Sequence, residues 1–409
     1  MTILHIVLNN FTTDARVLRS ASLGCELGAD VVVFALGEDD LPEREERDGI
    51  QIRRFALKSR SWSKLPAVQL AKYAEALFRM QRAGRELEPE IVHAHDLTGL
   101  PIGYAISRSL NQRKPKSTRL LYDAHELWCD PEGAKMSHYV PGLFRLEVAI
   151  EGLLARRSDA VVTVSDGLAD EMEKTLCISR PALLRNFPER PNAQVRSQEP
   201  GPLRDDLGIS DDAPILLYQG HVRSGRGIET LIDAAPQLSN ADARVVIVGS
   251  GPSVPELKER AAGSKTPERI LFRPEVPLAD LPRYTADATI GICPTEAPNK
   301  SYLYSLPNKL AEYVQAGLPV IASDLPETTK LCERLDFGVV FRVGDSQSLA
   351  ARIDELLASK ARLARHRNAS ESAAHELSWN SEKLVLRQIY EEILEMQVEE
   401  QPLAMGVAG

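Results

Sequence analysis

Long apolar runs and paired cysteines are missing from this sequence. No stretch approaches the ~20 apolar residues that a membrane-spanning helix needs, and the apolar N-terminus, Met1–Leu8, lacks a preceding positive charge. We therefore expect a first strand there and not a secretory signal peptide, in a protein kept in the cytoplasm or at the inner face of the cell membrane. The five cysteines have no paired spacing, which is typical of reduced thiols and not of a disulfide framework or a zinc site.

An excess of positive charge is also missing. The formal net charge is −9, whereas a general nucleic-acid binder is strongly basic, so we expect no nucleic-acid partner. The length of 409 residues exceeds what one hydrophobic core usually supports, and this favours two domains.

Short apolar runs alternate with helical patterns along most of the chain, and this predicts parallel sheets covered by helices on both faces. The pattern stops between residues 186 and 212, a stretch rich in proline, asparagine, arginine and acidic residues. The predicted fold class is α/β, with two tandem Rossmann-like doubly wound domains facing across a cleft. The predicted parts are an N-terminal domain (1–185), a linker (186–212), a C-terminal domain (213–378), a helix crossing back to the N-terminal domain (379–397) and a disordered tail (398–409).

The segment from Ser305 to Pro319 has the signals of a capped helix. Ser305 suits the N-cap, Gly317 suits the turn after the helix, and Pro319 prevents continuation. The N-terminus of such a helix offers backbone N–H groups to a phosphate, and Lys309 adds a positive charge. The carboxylate of Glu312 has two acceptor oxygens, which match the two hydroxyls of a ribose. The alternative is an ordinary amphipathic helix with a solvated face.

The pattern Glu-x4-Gly-x-Pro that begins at Glu312 resembles the C-terminal half of the Glu-x7-Glu motif of family-four retaining glycosyltransferases, which have the GT-B fold. The resemblance implies that Glu312 holds the ribose hydroxyls of a donor nucleotide. The family's first glutamate touches the donor sugar, but Tyr304 stands at that position here. Tyr304 itself, Glu296, or the backbone amides of Asn308 and Lys309 could take over the sugar contact.

A glycine-rich turn that begins at Gly220 is a candidate phosphate-binding loop, because it lies between a predicted strand and a predicted helix. It resembles the family's Gly-Arg…Lys-Gly loop, whose two cations grip the donor diphosphate. The resemblance puts Arg226 in the lysine position and His221 where the family usually has arginine, with Arg223 as a second charge. An arginine fork suits phosphate oxygens. The alternative is a solvated turn.

Two further positions complete the predicted donor site. Gly249 lies in a Gly-x-Gly-Pro turn after a predicted strand, as is common in the family. Val276 ends the stretch where family members contact the base. Neither position distinguishes uridine from guanosine or adenosine.

Histidines end two predicted strands of the N-terminal half. His125 resembles the family position where a histidine faces the donor sugar, and a hydrogen-bonded structural histidine is the alternative. The pattern His93-x-His95-Asp96 could bind a metal, but no further ligand cluster is evident and we expect no metal site. The stretch that ends at Arg16 is expected to be a plain helix start, with Thr13 or Asp14 as its cap.

The resemblance covers nearly the whole chain and implies a retaining glycosyltransferase in which His125, Arg226 and Glu312 are catalytic. A sugar would pass from a nucleoside diphosphate sugar, with a UDP-sugar favoured, to a saccharide or lipid-linked saccharide in polysaccharide or envelope glycan biosynthesis. Because Arg226 and a helix N-terminus could stabilise the leaving diphosphate, we expect no metal or other cofactor. Basic stretches such as Lys58–Lys64 and Arg108–Arg119 favour contact with anionic lipid head groups at a membrane surface.

Two other functions fit the same fold. A sugar-nucleotide 2-epimerase would need extra carboxylates in the cleft, and no such set is evident. A non-catalytic protein that binds nucleotide sugars would explain the missing first glutamate of the family motif.

Overall fold

The structure is a computed structural model that describes residues 1–59, 62, 65–130, 143–191 and 202–399. It divides into two compact units, one made of Met1–Arg185 and Lys383–Gly409 and the other of Asn186–Glu382. Among the helices of the described residues, none combines the length and the apolar character needed to cross a bilayer.

An eight-stranded sheet forms the centre of the first unit. Its strands are β1 (Thr2–Ile6), β2 (Asp30–Leu36), β3 (Arg44–Arg47), β4 (Ile50–Phe55), β5 (Ile91–His95), β6 (Arg119–Ala124), β7 (Ala160–Thr163) and β8 (Ala182–Leu183). They lie in the order β3-β4-β2-β1-β5-β6-β7-β8, and only β3 and β4 pair in antiparallel orientation. Strands β5 and β6 are buried along their whole length, as expected for the middle of a sheet with helices on both faces.

In the described part of residues 1–185, the helices beside this sheet are α1 (Ala15–Glu26), α2 (Pro66–Leu87), α3 (Asp96–Asn111), α4 (Leu143–Ala155) and α5 (Asp166–Leu176). The side chain of Asp14 accepts a hydrogen bond from the backbone N–H of Val17 and so caps α1, in agreement with the sequence. Strand β3 was not predicted, because all four of its residues are charged and it pairs only at the sheet edge.

A six-stranded sheet forms the centre of the second unit, with every pair parallel and the order β11-β10-β9-β12-β13-β14. The strands are β9 (Ile215–Gln219), β10 (Arg244–Val248), β11 (Ile270–Arg273), β12 (Ile290–Cys293), β13 (Val320–Ser323) and β14 (Gly338–Phe341). Both faces are buried, since Leu216 and Tyr218 pack in one apolar cluster and Ile215 and Leu217 in another.

The helices of the second unit are α6 (Pro202–Leu207), α7 (Ile228–Ala234), α8 (Val254–Ala262), α9 (Leu281–Ala286), α10 (Lys300–Leu303), α11 (Asn308–Gln315), α12 (Pro326–Leu335), α13 (Ser346–Leu357) and α14 (Lys360–Ala373). A last helix, α15 (Trp379–Glu399), begins in the second unit and is counted with the first from Lys383 onward. The prediction of two tandem Rossmann-like doubly wound sheets is confirmed.

The predicted linker has structure of its own. Helix α6 lies inside it, and Leu203 of that helix is fully buried in a core cluster of the second unit. Helix α15 also includes residues 398 and 399, which the sequence assigns to the tail. The rest of the predicted tail, 400–409, lies outside the described residues.

In both sheets the strand order reverses direction near the middle, at β1 beside β5 and at β9 beside β12. Ligands of doubly wound sheets bind outside the carboxyl ends of the strands at such a reversal. Both reversal points coincide with motifs that the sequence singles out. Strand β5 ends at His95, and strand β9 ends one residue before Gly220.

Candidate functional site

Closely packed turns form the reversal point of the second unit. A Cβ atom on Gly249 would lie 1.9 Å from the carbonyl oxygen of Gly220, and one on Gly227 would lie 1.8 Å from that of Pro294. Gly249 and Gly227 have φ values of 154° and 69°, which favour glycine. The structure therefore brings the predicted residues Gly220 and Gly249 together, because the turn after β10 has no room for a side chain at Gly249.

Glu312, on α11, is oriented toward the end of β9. Gln219 Nε2 donates to Glu312 Oε2 at 2.6 Å, and Thr285 Oγ1 donates to Gln219 Oε1 at 2.8 Å. The hydroxyl of Tyr313 accepts from the backbone N–H of Gln219 at 2.9 Å and donates to the Leu217 carbonyl at 3.0 Å. Two successive residues of α11 thus join it to β9, and a neutral amide fixes the Glu312 carboxylate.

Lys309 lies on the first turn of α11 and is only 8% exposed. Its Nζ lies 3.8 Å from the ring centroid of Tyr218 and 3.8 Å from where a Cβ of Gly220 would stand. Burial, with a smaller contribution from Arg226, lowers its pKa to about 8. At neutral pH the lysine therefore carries a positive charge against the Gly220 turn, and the aromatic face stabilises that charge.

Arg223 and Arg226 both contact Tyr302 of α10. Arg223 Nη2 donates to the Tyr302 hydroxyl at 2.8 Å, and the Arg226 guanidinium lies 5.4 Å from the Tyr302 ring centroid. Arg223 is exposed and Arg226 is half-buried. The predicted phosphate-binding cations therefore lie on or beside the loop that begins at Gly220, since both arginines contact Tyr302 and Lys309 lies against Gly220 itself.

The other predicted donor residues occupy positions around this group. His221 is exposed, and its carbonyl accepts from the Tyr218 hydroxyl at 2.9 Å. Val276 is half-buried and packs against a core cluster of the second unit. Tyr304 is the C-cap of α10, and Asn308 is the exposed first residue of α11.

The prediction that Ser305 caps α11 is wrong. The N-cap is Pro307, and Ser305 Oγ donates to the Tyr302 carbonyl at 2.8 Å. The cause is α10, a short helix that the sequence did not predict, because Ser305 belongs to the turn that follows it. The other end of α11 agrees with the sequence, since Gly317 has a φ of 76° and follows the last residues of the helix.

Four histidines meet at the reversal point of the first unit. Strand alternation puts His93 and His95 on one face of β5, with ring centroids 4.2 Å apart. His95 Nε2 lies 3.0 Å from His5 Nδ1, and His95 Nδ1 lies 3.1 Å from His125 Nε2. His93 Nδ1 lies 2.9 Å from the hydroxyl of Tyr390 on α15. A row of imidazoles therefore joins the sheet interior to the predicted catalytic residue His125.

Only the outermost histidine of this row favours the charged form. Burial lowers the pKa of His93 to about 3 and also lowers the pKa values of the histidines at positions 5 and 95. Burial opposes protonation of His125 too, but the carboxylates of Asp96 and Asp123 outweigh it and raise the His125 pKa. The side chain of His125 is 18% exposed, so the histidine with the raised pKa lies at the surface end of the row.

A buried ion pair between Arg16 and Asp123 lies beside this row of histidines. Arg16 donates from Nε and Nη2 to the two carboxylate oxygens of Asp123 at 2.9 and 2.6 Å, and the two side chains are 5% and 0% exposed. Burial alone would raise the pKa of Asp123, but Arg16 and His125 outweigh it and hold that pKa well below its usual range. The expectation of a plain helix start is therefore wrong for Arg16.

Two sets of these side chains are close enough to share a metal ion, His5 with His93 and His95, and His95 with Asp123 and His125. In the second set the three facing atoms are 3.1, 3.3 and 3.4 Å apart. The Oδ2 atom of Asp123 also accepts from Arg16, so a guanidinium already compensates this carboxylate and would repel a divalent cation. Hydrogen bonds account for the geometry, and the expectation of no metal remains a prediction.

Sequence reasoning missed three residues that shape these sites. Gln219 is the last residue of β9, and this position at the end of a central strand was an available signal. Arg16 and Tyr302 gave no signal, because their partners lie 107 and 79 residues away along the chain.

Known proteins resemble both units. The family described as "Glycosyl transferase 4-like domain" matches residues 13–183, and the family described as "Glycosyl transferases group 1" matches residues 213–359. Together these two matches account for most of both sheets.

Curated relatives match at low identity over most of the chain. "Putative glycosyltransferase EpsD" of Bacillus subtilis is 23% identical over 344 residues, 81% of this chain and 81% of its own. "D-inositol 3-phosphate glycosyltransferase" of Nocardia farcinica is 24% identical over 381 residues, 89% of this chain and 80% of its own.

Two solved structures share the fold. Sucrose-phosphate synthase from Thermosynechococcus elongatus has a TM-score of 0.74 at 18% identity, over 97% of this chain and all of its own. HepE of Anabaena, solved with UDP, has a TM-score of 0.72 at 16% identity over 97% of this chain and all of its own. With a family match in each unit, the chain belongs to the group 1 glycosyltransferases and has the GT-B fold.

Proposed function

We propose that the protein is a retaining glycosyltransferase that moves a sugar from a nucleoside diphosphate sugar without a metal ion. The observation that carries this proposal is the group of three cations, Arg223, Arg226 and Lys309, beside a carboxylate held by a neutral amide. Cations suit a diphosphate, and the Glu312 carboxylate suits the hydroxyls of a ribose. Both halves of a nucleoside diphosphate therefore have partners in the second unit.

The chemical step breaks the bond between the anomeric carbon and the leaving phosphate oxygen. The bonding electrons stay on that oxygen, and the acceptor hydroxyl forms the new bond on the same face of the sugar. The acceptor proton passes to the departing phosphate. Negative charge therefore grows on the diphosphate, and Arg226 and Lys309 stabilise it electrostatically without moving.

His125 is proposed to contact the donor sugar. The carboxylates of Asp96 and Asp123 outweigh burial and raise its pKa, and they lie 3.5 and 3.3 Å from its two ring nitrogens. The buried row behind it restricts its rotation, because His95 lies 3.1 Å from its Nε2.

A UDP-sugar is the proposed donor. Structures of HepE with UDP and with UDP-glucose share this fold, which makes UDP the first nucleotide to test. For the acceptor we propose a saccharide or a lipid-linked saccharide of a polysaccharide or envelope pathway. WaaG, another protein of this fold (TM-score 0.63), is described as involved in lipopolysaccharide biosynthesis.

Contact with a membrane surface is part of this acceptor proposal. Lys58, Arg113 and Lys114 are exposed on the first unit, and each basic residue near an anionic membrane contributes about 1 kcal/mol. Arg60 and Lys64, in the same predicted basic stretches, lie outside the described residues. Binding to vesicles of anionic lipid that is unchanged after neutralising all five would contradict the membrane contact.

The main test measures binding and turnover separately. UDP-, GDP- and ADP-sugars are ranked by the rise in melting temperature, because a ligand that binds only the native state stabilises it. The best donor is then incubated with EDTA and acceptor extracts, and the anomeric configuration of the product is read by NMR. Retention in EDTA is expected, and an inverted product or a requirement for metal would contradict the proposal.

The same experiment separates the alternatives. Binding with neither transfer nor donor hydrolysis would indicate a non-catalytic nucleotide-sugar-binding protein. A nucleotide sugar whose configuration at sugar C2 changes when no acceptor is present would indicate a 2-epimerase.

A matched pair of variants tests the ribose assignment. Glu312→Ala should greatly weaken donor binding with the fold intact, whereas Glu259→Ala, at an exposed position of α8, should bind as the unmodified protein does. Donor binding that is unchanged in Glu312→Ala would contradict the assignment.

A further inference from the structure

One tyrosine holds both arginines of the proposed diphosphate site. Tyr302 accepts a hydrogen bond from Arg223 Nη2 at 2.8 Å through its hydroxyl. The Arg226 guanidinium lies 5.4 Å from the centroid of the same ring. The two arginines are only three positions apart, so a single side chain contacts both guanidinium groups.

The backbone fixes Tyr302 in this place. Asn299 accepts a hydrogen bond from the Tyr302 N–H at 3.0 Å and so caps α10. The Glu296 N–H donates to the Gly225 carbonyl at 3.2 Å. At Gly225, a Cβ would lie 3.9 Å from Cε1 of Tyr302. The segment 294–304 is thus packed against the turn that carries both arginines.

The close approach of these two loops depends on Gly227. A Cβ there would lie 1.8 Å from the Pro294 carbonyl oxygen, so any side chain would force the loops apart. Tyr302 therefore reaches the arginines from a loop that is held at two points.

The chemistry of tyrosine suits this role better than that of a carboxylate. Two guanidinium groups repel each other, and a glutamate between them would hold both but would also neutralise charge that a diphosphate needs. A phenol offers a hydroxyl acceptor and an electron-rich ring face while remaining neutral. Both arginines stay fully charged.

We propose that Tyr302 is a positioning residue that presents Arg223 and Arg226 to the diphosphate of the donor. The inference rests on the proposed function, since it assigns a task to the same site. It also gives a role to the segment 294–304, which ends at Tyr304, the position of the first glutamate of the family motif.

Two substitutions separate the two contacts. Tyr302→Phe keeps the ring beside Arg226 and removes the acceptor of Arg223, whereas Tyr302→Leu removes both contacts. Binding of UDP, GDP and ADP, and of the corresponding nucleosides, is measured by calorimetry. The quantity compared is the affinity gained from the diphosphate, which is the ratio of nucleotide to nucleoside affinity.

We expect Tyr302→Phe to lower this ratio about 3- to 10-fold and Tyr302→Leu to lower it further, because the net effect of one typical hydrogen bond is of this order and Arg223 is exposed. Nucleoside affinity should not change. The effect of Tyr302→Phe should disappear in an Arg223→Met background, because the two side chains act as one unit.

Tyr284→Phe is the matched control. Its hydroxyl accepts from Arg273 Nη2 at 2.7 Å and its ring lies 4.4 Å from that guanidinium, so it has the same kind of contacts with a different arginine. It should leave the ratio unchanged.

Failure of the inference and failure of the proposed function give different results. If the unmodified protein binds none of the three nucleotides, the proposed function fails. If it binds one of them and both Tyr302 variants keep the ratio, or lose nucleoside and nucleotide affinity equally, the positioning role is wrong. Full additivity of Tyr302→Phe with Arg223→Met would also overturn it.

Discussion

Gln219 and Glu312, 93 residues apart in the chain, are joined by a 2.6 Å hydrogen bond from amide nitrogen to carboxylate oxygen. The amide stands at the end of the central strand β9, and the carboxylate lies on α11, which follows the neighbouring strand β12 in the chain. Gln219 is held in turn by the hydroxyl of Thr285. A carboxylate that is oriented before the ligand arrives loses less freedom on binding.

Replacing Gln219 by leucine should therefore weaken recognition of the ribose. Loss of a hydrogen bond to a carboxylate changes affinity by about 10-fold, so we expect weaker UDP binding and a smaller preference for UDP over 2′-deoxy-UDP. Calorimetric titration with both nucleotides measures this. Gln237→Leu, at an exposed glutamine that bonds Ser346, is the control, and an unchanged preference in Gln219→Leu would contradict the role.

Arg226→Met should slow the chemical step. Removing one donor that stabilises developing negative charge typically lowers kcat by about 10²- to 10³-fold, and we expect a loss of that order because the guanidinium of Arg226 is half-buried near Lys309. Steady-state transfer with the best donor measures it. Arg342→Met removes an arginine whose side chain is 78% exposed and should have no effect. Equal rates for both variants would exclude Arg226 from leaving-group stabilisation.

Lys309 should make nucleotide binding depend on pH. Burial lowers its pKa to about 8, so the lysine is charged below that pH and neutral above it. Affinity for UDP should fall as the pH rises from 7 to 9, and proton uptake on binding should be detectable near pH 8. Titrations in buffers of different ionisation enthalpy measure both. Lys309→Met should bind UDP weakly with little change over this range, and a slope like that of the unmodified protein would contradict the assignment.

The same lysine should reduce stability at neutral pH. Between pH 8 and the usual lysine value of 10.5 the unfolded chain binds more protons than the native one, so the native state gains stability as the pH rises through this window. Lys309→Met removes the buried charge. The free energy of unfolding of Lys309→Met should exceed that of the unmodified protein by an amount on the order of 3 kcal/mol. This difference, measured by urea unfolding, should be largest below pH 8 and shrink toward pH 10. An advantage that grows with pH would contradict this sign.

The buried pair of Arg16 and Asp123 should be essential for the fold of the first unit. Removing one partner leaves an uncompensated buried charge, which costs about 3–5 kcal/mol. Arg16→Met and Asp123→Leu should each destabilise the protein by this amount, and the double variant by less than the sum. Arg180 pairs with Asp166 at 39% and 37% exposure, so Arg180→Met should cost less than about 1 kcal/mol. Additive single effects in urea unfolding would mean that the pair does not act as a unit.

His125→Gln should separate binding from catalysis. Its predicted task concerns the donor sugar, whereas the proposed nucleotide partners all belong to the second unit. We expect kcat to fall and the UDP affinity to remain unchanged, in transfer assays and calorimetry respectively. A parallel loss of UDP affinity would contradict the division of tasks.

The sequence by itself determined the two sheets and the position of the donor motifs. Apolar strands alternate with helices whatever their long-range contacts, and the glycines at 220, 227 and 249 mark turns in which each residue has a positive φ that favours glycine. The C-terminal end of α11 also followed from local signals. These features are readable because each depends on residues that are close together in the chain.

Only the tertiary structure decided the partners of these motifs. Ser305 does not cap α11, because it belongs to the turn that follows α10. The predicted linker contains a helix, because Leu203 is buried in a core cluster of the second unit. Arg16 reaches Asp123, Gln219 reaches Glu312, and Tyr302 reaches two arginines, each across 76 or more residues. Such pairs form near the carboxyl ends of strands that are neighbours in the sheet. The order of the strands depends on how the whole sheet packs, and a local sequence pattern does not contain that information.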